Sequence, residues 1–108
     1  MQMKIYVKEI PPYKQTPADL RERHLQTLRT KTLQEVAIRE IETPLNGPVK
    51  LEITYHRGKG RSDSSNIIGG IADALNTIAY EDDRQIKILN YTEEKKSLDE
   101  YWINIERA

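Results

Sequence analysis

Apolar residues along this chain switch between two spacings, and the switches mark out its elements. Met3, Ile5 and Val7 alternate with Lys4, Tyr6 and Lys8, the period of a half-buried strand, and Pro11-Pro12 stops it. Thr16-Pro17-Ala18-Asp19 reads as a helix start, with Thr16 as cap, Pro17 at the first helical position and Asp19 where a capping-box acid belongs. That helix is expected to reach about Ile41, with Leu25, Leu28, Val36, Ala37 and Ile41 toward the core. Its spacing is imperfect, so a break near Thr30 or Thr32 stays open as an alternative. Residues 43–48, TPLNGP, form a turn. Val49, Leu51, Ile53 and Tyr55 then alternate with Lys50, Glu52 and Thr54 in the best strand of the sequence.

A second helix is expected from Ser64 to Ile78, with Ile67, Ile71, Ala74, Leu75 and Ile78 in one stripe. Gly69 and Gly70 interrupt it, each costing about 1 kcal/mol relative to alanine, so something should approach the backbone there. Packing against a strand or another helix is the simplest form of that approach. A polar connection at residues 81–84 leads to a strand from Gln85 to Tyr91 with Ile86 and Ile88 inward. A charged hairpin loop from Thr92 to Glu100 and a last strand from Tyr101 to Glu106 complete the chain. The order is β-α-β-α-β-β without repeats or linkers, which predicts one small α/β (α+β) domain over residues 1–108.

Composition narrows the chemistry. The 108 residues carry 17 Lys plus Arg against 17 Asp plus Glu, two histidines and no cysteine. Disulfides, thiolate nucleophiles and Cys-based zinc sites are excluded, and two histidines argue against a multi-histidine metal site. No apolar run is long enough for a membrane span. The N-terminus has no signal-peptide core, so a cytoplasmic protein without a membrane partner is expected. Zero net charge argues against a basic coat for nucleic acid while leaving room for a local basic face.

Acids gather in three places: Asp63 at the mouth of the second helix, Asp73 within it, and Asp82-Asp83 before the third strand. Asp63 reads as a helix cap or as a ligand, with Ser62 and Ser64 able to cap in its stead. Asp82-Asp83 reads as a turn or as an acid pair awaiting a cation. If the flanking strands are neighbours, Asp63 and the Asp pair are expected to converge at one sheet end. Carboxylates without His or Cys suit Mg²⁺ or Mn²⁺, and such a centre suits phosphodiester hydrolysis. The basic loop carrying Arg57, Lys59 and Arg61 would sit beside it and hold nucleic-acid phosphates. His24 is expected to face solvent, His56 lies near the proposed site, and Trp102 reads as core or dimer interface.

The run RSDSSNIIGGIADALNTIAYEDDRQI, residues 61–86, resembles the signature of the RusA-type Holliday junction resolvases, small endonucleases often carried by phages and prophages. Asp63, Asn66, Asp73-Ala74-Leu75 and Asp82-Asp83-Arg84-Gln85-Ile86 stand at the motif positions. The resemblance implies a mixed four-stranded sheet with flanking helices, a homodimer, and Mg²⁺-dependent cutting of four-way DNA junctions in recombination and repair. It assigns catalysis to Asp63, Asp82, Asp83 and Asn66, and metal binding to the three aspartates. Two positions depart from the pattern. Ser65 stands where the family has a second acid, and Gly69 where it has a catalytic lysine. Lys59 or Arg61 is then the candidate replacement cation, and Asp73 the candidate acid. Two other readings stay open: a branched-DNA-binding protein that has lost catalysis, and a nuclease for other branched DNA.

Overall fold

Four strands form one sheet in the order β1-β4-β2-β3: β1 Gln2–Val7, β2 Val49–Arg57, β3 Ile86–Lys95 and β4 Glu100–Arg107. The computed structural model describes residues 2–14 and 18–108, so the expected helix start at Thr16-Pro17 lies outside the described residues. β4 runs antiparallel to both β1 and β2, and β2 runs parallel to β3. The sheet is therefore mixed, and the β-α-β-α-β-β order stands as expected.

Strand alternation buries Met3, Ile5 and Val7, then Leu51, Ile53 and Tyr55, then Tyr101, Ile103 and Ile105. These side chains share one core with Leu28 of helix α1 (Ala18–Arg39) and Ile67, Ile71 and Leu75 of helix α2 (Ser64–Leu75). The opposite sheet face is left open. On it Trp102 packs against Tyr6 and His56, with ring centroids 5.2 and 4.6 Å away. Trp102 is 37% exposed and is not a core residue.

Helix α1 is unbroken over 22 residues. Among the side chains described, from Glu22 onward, its buried stripe is His24, Leu28 and Thr32, spaced i, i+4, i+8, with Leu25 and Val36 partly buried beside it. Two of those three residues are polar, which is why the apolar spacing looked imperfect. Each has a partner. Thr32 Oγ1 donates to the Leu28 carbonyl at 2.7 Å, and His24 Nδ1 lies 3.0 Å from Glu9 Oε2. His24 is thus buried, contrary to the solvent-facing expectation, because the Glu9 carboxylate satisfies it. Ala37 is exposed.

Helix α2 stops at Leu75, short of Ile78, and Arg29 of α1 donates to the carbonyls of Ala74 and Asn76, both at 3.0 Å. This answers helix-end acceptors that have no partner within the helix. The close approach predicted at the glycine pair is real. The segment after β1 crosses α2 there: a Cβ on Gly70 would run into the Pro12 carbonyl oxygen, and the Lys14 N–H donates to the Asn66 carbonyl at 3.2 Å.

Strand β3 corrects the sequence reading most. Its register with β2 shifts after Val49, so Ile88 pairs with Lys50, and Leu89 and Tyr91 pair with Leu51 and Ile53. The extra residue reverses the phase. Leu89 and Tyr91 therefore stand on the side of Leu51 and Ile53 and Ile88 on the opposite face; on this edge strand Ile88 and Leu89 are both exposed, 45% and 43%. The strand also continues to Lys95, and residues 96–99 are not the expected hairpin loop: β3 and β4 are not neighbours, so these residues carry the chain past β2, which lies between them.

Candidate active site

The basic loop leaves β2 at Arg57 and is held in shape by one carboxylate. Asp99 accepts from the backbone N–H groups of Gly58 at 3.0 Å, Lys59 at 2.6 Å and Gly60 at 3.2 Å, and from the Tyr55 hydroxyl. Burial pushes the Asp99 carboxyl up, but the Tyr55 hydroxyl and the three amides outweigh it and hold it below the usual carboxylate range. The glycine spacing follows from this wrap. A Cβ on Gly58 would lie 2.9 Å from the Leu98 carbonyl carbon, and one on Gly60 would run into the Tyr55 hydroxyl.

Arg57 turns inward. Its Nε and Nη2 donate to the two Glu93 oxygens at 2.7 and 2.9 Å, and its Nη1 donates to the Gly60 carbonyl at 2.9 Å. It braces the loop and is committed to protein partners. Lys59 and Arg61 are exposed.

The loop delivers the chain to Asp63, the N-cap of α2. Asp63 Oδ1 accepts from the Asn66 N–H at 2.9 Å and from Ser65 Oγ at 3.0 Å. The Asn66 amide, then the Ser65 hydroxyl, keep the Asp63 carboxyl below its usual range, so it is ionised at neutral pH. Capping is thus one role of Asp63, and Ser65 serves it rather than adding a second charge. Around Asp63 lies a cleft of about 510 Å³, lined among others by Lys14, Lys59, Arg61 and Asn66.

Asp82 and Asp83 sit at the entry to β3. Asp82 caps a 3-10 turn at Asp83–Gln85, accepting from the Arg84 N–H at 2.8 Å and from its Nε at 3.1 Å. Those Arg84 contacts hold the Asp82 carboxyl down. Gln85 fixes the turn in place. Its Oε1 accepts from the N–H groups of Glu81 at 2.9 Å and Asp82 at 3.1 Å, and its Nε2 donates to the carbonyls of Leu45 at 2.8 Å and Gly47 at 2.9 Å. Sequence reasoning placed Gln85 in the motif without seeing that it ties the 43–48 turn to the acid pair. Nearby, burial pushes the Tyr80 hydroxyl up, reinforced by Asp83, Asp73 and Asp82.

The expected convergence of Asp63 with Asp82 and Asp83 does not occur within one chain. β2 and β3 are neighbours, but parallel: Val49 pairs with Ile86 and Arg57 with Lys95. The exit of β2 and the entry of β3 therefore lie at opposite sheet ends. The 12 residues of α2 between them span about 18 Å at 1.5 Å per residue. Among the described residues no three His, Cys, Asp or Glu groups lie close enough to hold a metal ion. By donor type the carboxylates of Asp63, Asp82 and Asp83 suit a hard divalent cation. By placement one chain offers Asp63 at one end and the Asp82-Asp83 pair at the other. Asp73 does not complete either set; it lies 3.5 Å from Lys14 Nζ. His56 lies on the open sheet face, 3.0 Å from Glu100, outside the cleft lining.

The family model described as Endodeoxyribonuclease RusA matches residues 13–106, a span that takes in the cleft-lining residues Lys14 to Asn66 and the acid pair. No curated protein matches the chain.

Proposed function

The chain belongs to the RusA endodeoxyribonuclease family, and from that membership we propose that it is a Mg²⁺-dependent (or Mn²⁺-dependent) endonuclease that resolves four-way DNA junctions as a homodimer. The family are nucleases that act on branched DNA and are generally divalent-metal dependent. Among the described residues no helix is long and apolar enough to cross a membrane.

The observation that carries the finer reading is the cleft at Asp63. Three cations, Lys14, Lys59 and Arg61, line it against one acid, in a chain whose formal net charge is zero. Phosphates would be held by Lys59 and Arg61, which stand exposed on a loop that Arg57 and Asp99 keep in shape. Asn66, on the first turn of α2, would orient the reacting phosphate or a water beside Asp63.

The proposed metal ligands are Asp63, Asp82 and Asp83. Their separation within one chain has a direct consequence: they serve one cation only if two chains supply them, Asp63 from one and the Asp82-Asp83 pair from the other. A two-fold dimer would then carry two equivalent sites, matching a junction cut on two opposed strands. A divalent cation held there would polarise the scissile phosphate and lower the pKa of an attacking water.

The experiment is cleavage of a synthetic four-way junction with Mg²⁺ and with chelator, beside flap and fork substrates. Metal-dependent cutting of the junction is expected, abolished by Asp63→Asn and by Asp82→Asn. Ser65 and the divided acids favour a second reading, junction binding without chemistry. Tight binding with no cut in either Mg²⁺ or Mn²⁺ would establish it.

A further inference from the structure

Lys14 lies on none of the elements that carry the motif, yet the fold brings it into the cleft. The segment after β1 crosses α2 over the glycine pair, and the Lys14 side chain runs along the helix on Gly69. Its Cε and Cδ would lie 3.0 and 3.2 Å from a Cβ built at that position. Any side chain at position 69 would compete with the lysine for this space. The stem is thus laid flat on bare helix backbone, and the ammonium is delivered to the solvent-facing side of α2.

There Nζ sits 3.5 Å from Asp73 Oδ2, with half of the lysine side chain exposed. An exposed pair of this kind contributes between nothing and about 1 kcal/mol. It parks the ammonium without committing it, so a phosphodiester entering the cleft can take the lysine from Asp73 at little cost. Asp63 and Asn66 line the same cleft, and the Lys14 amide is itself bonded to the Asn66 carbonyl. The loop and the first turns of α2 therefore form one surface.

We propose that Lys14 is a DNA-phosphate contact of this cleft, carried over α2 by the crossing loop and held ready by Asp73. The proposal rests on the reading of the cleft as a DNA site and adds a cation whose side chain lies on α2 itself. The test is the salt dependence of binding of a fluorescent four-way junction to the full chain, read by anisotropy. Circular dichroism confirms that each variant is folded.

Lys14→Met should weaken binding and make the plot of log affinity against log salt about one unit shallower, the signature of one lost phosphate contact. Lys14→Arg should keep the slope. Adding Gly69→Lys to Lys14→Met should recover it, because a lysine rooted at position 69 occupies the vacated space. An unchanged slope in Lys14→Met overturns the proposal. So does a loss that Gly69→Lys fails to recover, which would assign Lys14 to shaping the loop. Neither result depends on cleavage: an unaltered protein that binds but never cuts refutes the nuclease reading and leaves the slope measurement standing.

Discussion

Asp99→Ala should loosen the basic loop without touching a single cation. The carboxylate accepts from three loop amides and from the hydroxyl of Tyr55, a fully buried residue. In the variant, water can reach the amides of a half-exposed loop, so those bonds are partly replaced. The Tyr55 hydroxyl has no such remedy, and stranding a buried donor costs about 1–3 kcal/mol. Together the loss is about 3 kcal/mol, which in a domain of this size lowers Tm by about 15 °C. Asp99→Asn keeps a carbonyl acceptor and should lose about half as much.

The pH dependence has a fixed sign. The folded Asp99 carboxyl titrates below its unfolded value. Its contribution is therefore complete above the ordinary carboxylate range and is lost as pH falls through the lowered folded value. Thermal unfolding of both variants, followed by circular dichroism across acid and neutral pH, gives the magnitudes. Junction binding in the same buffers should weaken for Asp99→Ala, since Lys59 and Arg61 lose their fixed presentation. Stability within about 0.5 kcal/mol of the parent, the ordinary scatter of surface changes, together with unchanged binding would mean that Asp99 does not hold the loop.

Two further outcomes follow from the same geometry. Gln85→Ala removes four hydrogen bonds between the 43–48 turn and the acid pair; at about 0.5 kcal/mol each in a partly exposed setting it should cost about 2 kcal/mol by urea unfolding and reduce junction cutting with it. The carboxyls of Asp63, Asp82, Glu93 and Glu100 all titrate below their usual values in the folded state, so unfolding free energy should be level near neutrality and fall as pH drops below about 4, which an acid titration of stability measures directly.

The alternating strands and α2 were legible because period-two and period-3.6 burial leave a direct imprint on residue choice. Helix α1 was harder to read, since its buried stripe is completed by His24 and Thr32, whose partners, Glu9 and the Leu28 carbonyl, no hydropathy pattern reveals. The phase of β3 turned on one extra residue opposite Val49-Lys50, and a register shift has no local sequence signal when Ile86, Ile88 and Leu89 are all apolar. At the site, the motif named Asp63, Asp82 and Asp83, and the glycine pair announced a close approach. What approaches, the Pro12–Lys14 segment, is more than fifty residues away along the chain and could be placed only by the fold. Direction was the other missing quantity: that β2 and β3 are neighbours followed from their order, but their parallel pairing is what sends Asp63 and the Asp pair to opposite ends. Arg57, read as a phosphate contact, is bonded through Nε and Nη2 to Glu93, a residue that the sequence had put in a loop.

Subunit complementation distinguishes a metal-dependent junction nuclease whose acids come from two chains from one whose acids come from a single chain. Asp63→Asn and the double variant Asp82→Asn, Asp83→Asn are assayed on a four-way junction with Mg²⁺, each alone and after mixing under conditions that exchange subunits, beside the unaltered protein. Cutting by the parent is expected, with none by either variant alone and recovery in the mixture, because one site of each mixed dimer regains Asp63 from one chain and Asp82-Asp83 from the other. A mixture as inactive as its components, beside an active parent, would contradict a site shared between two chains.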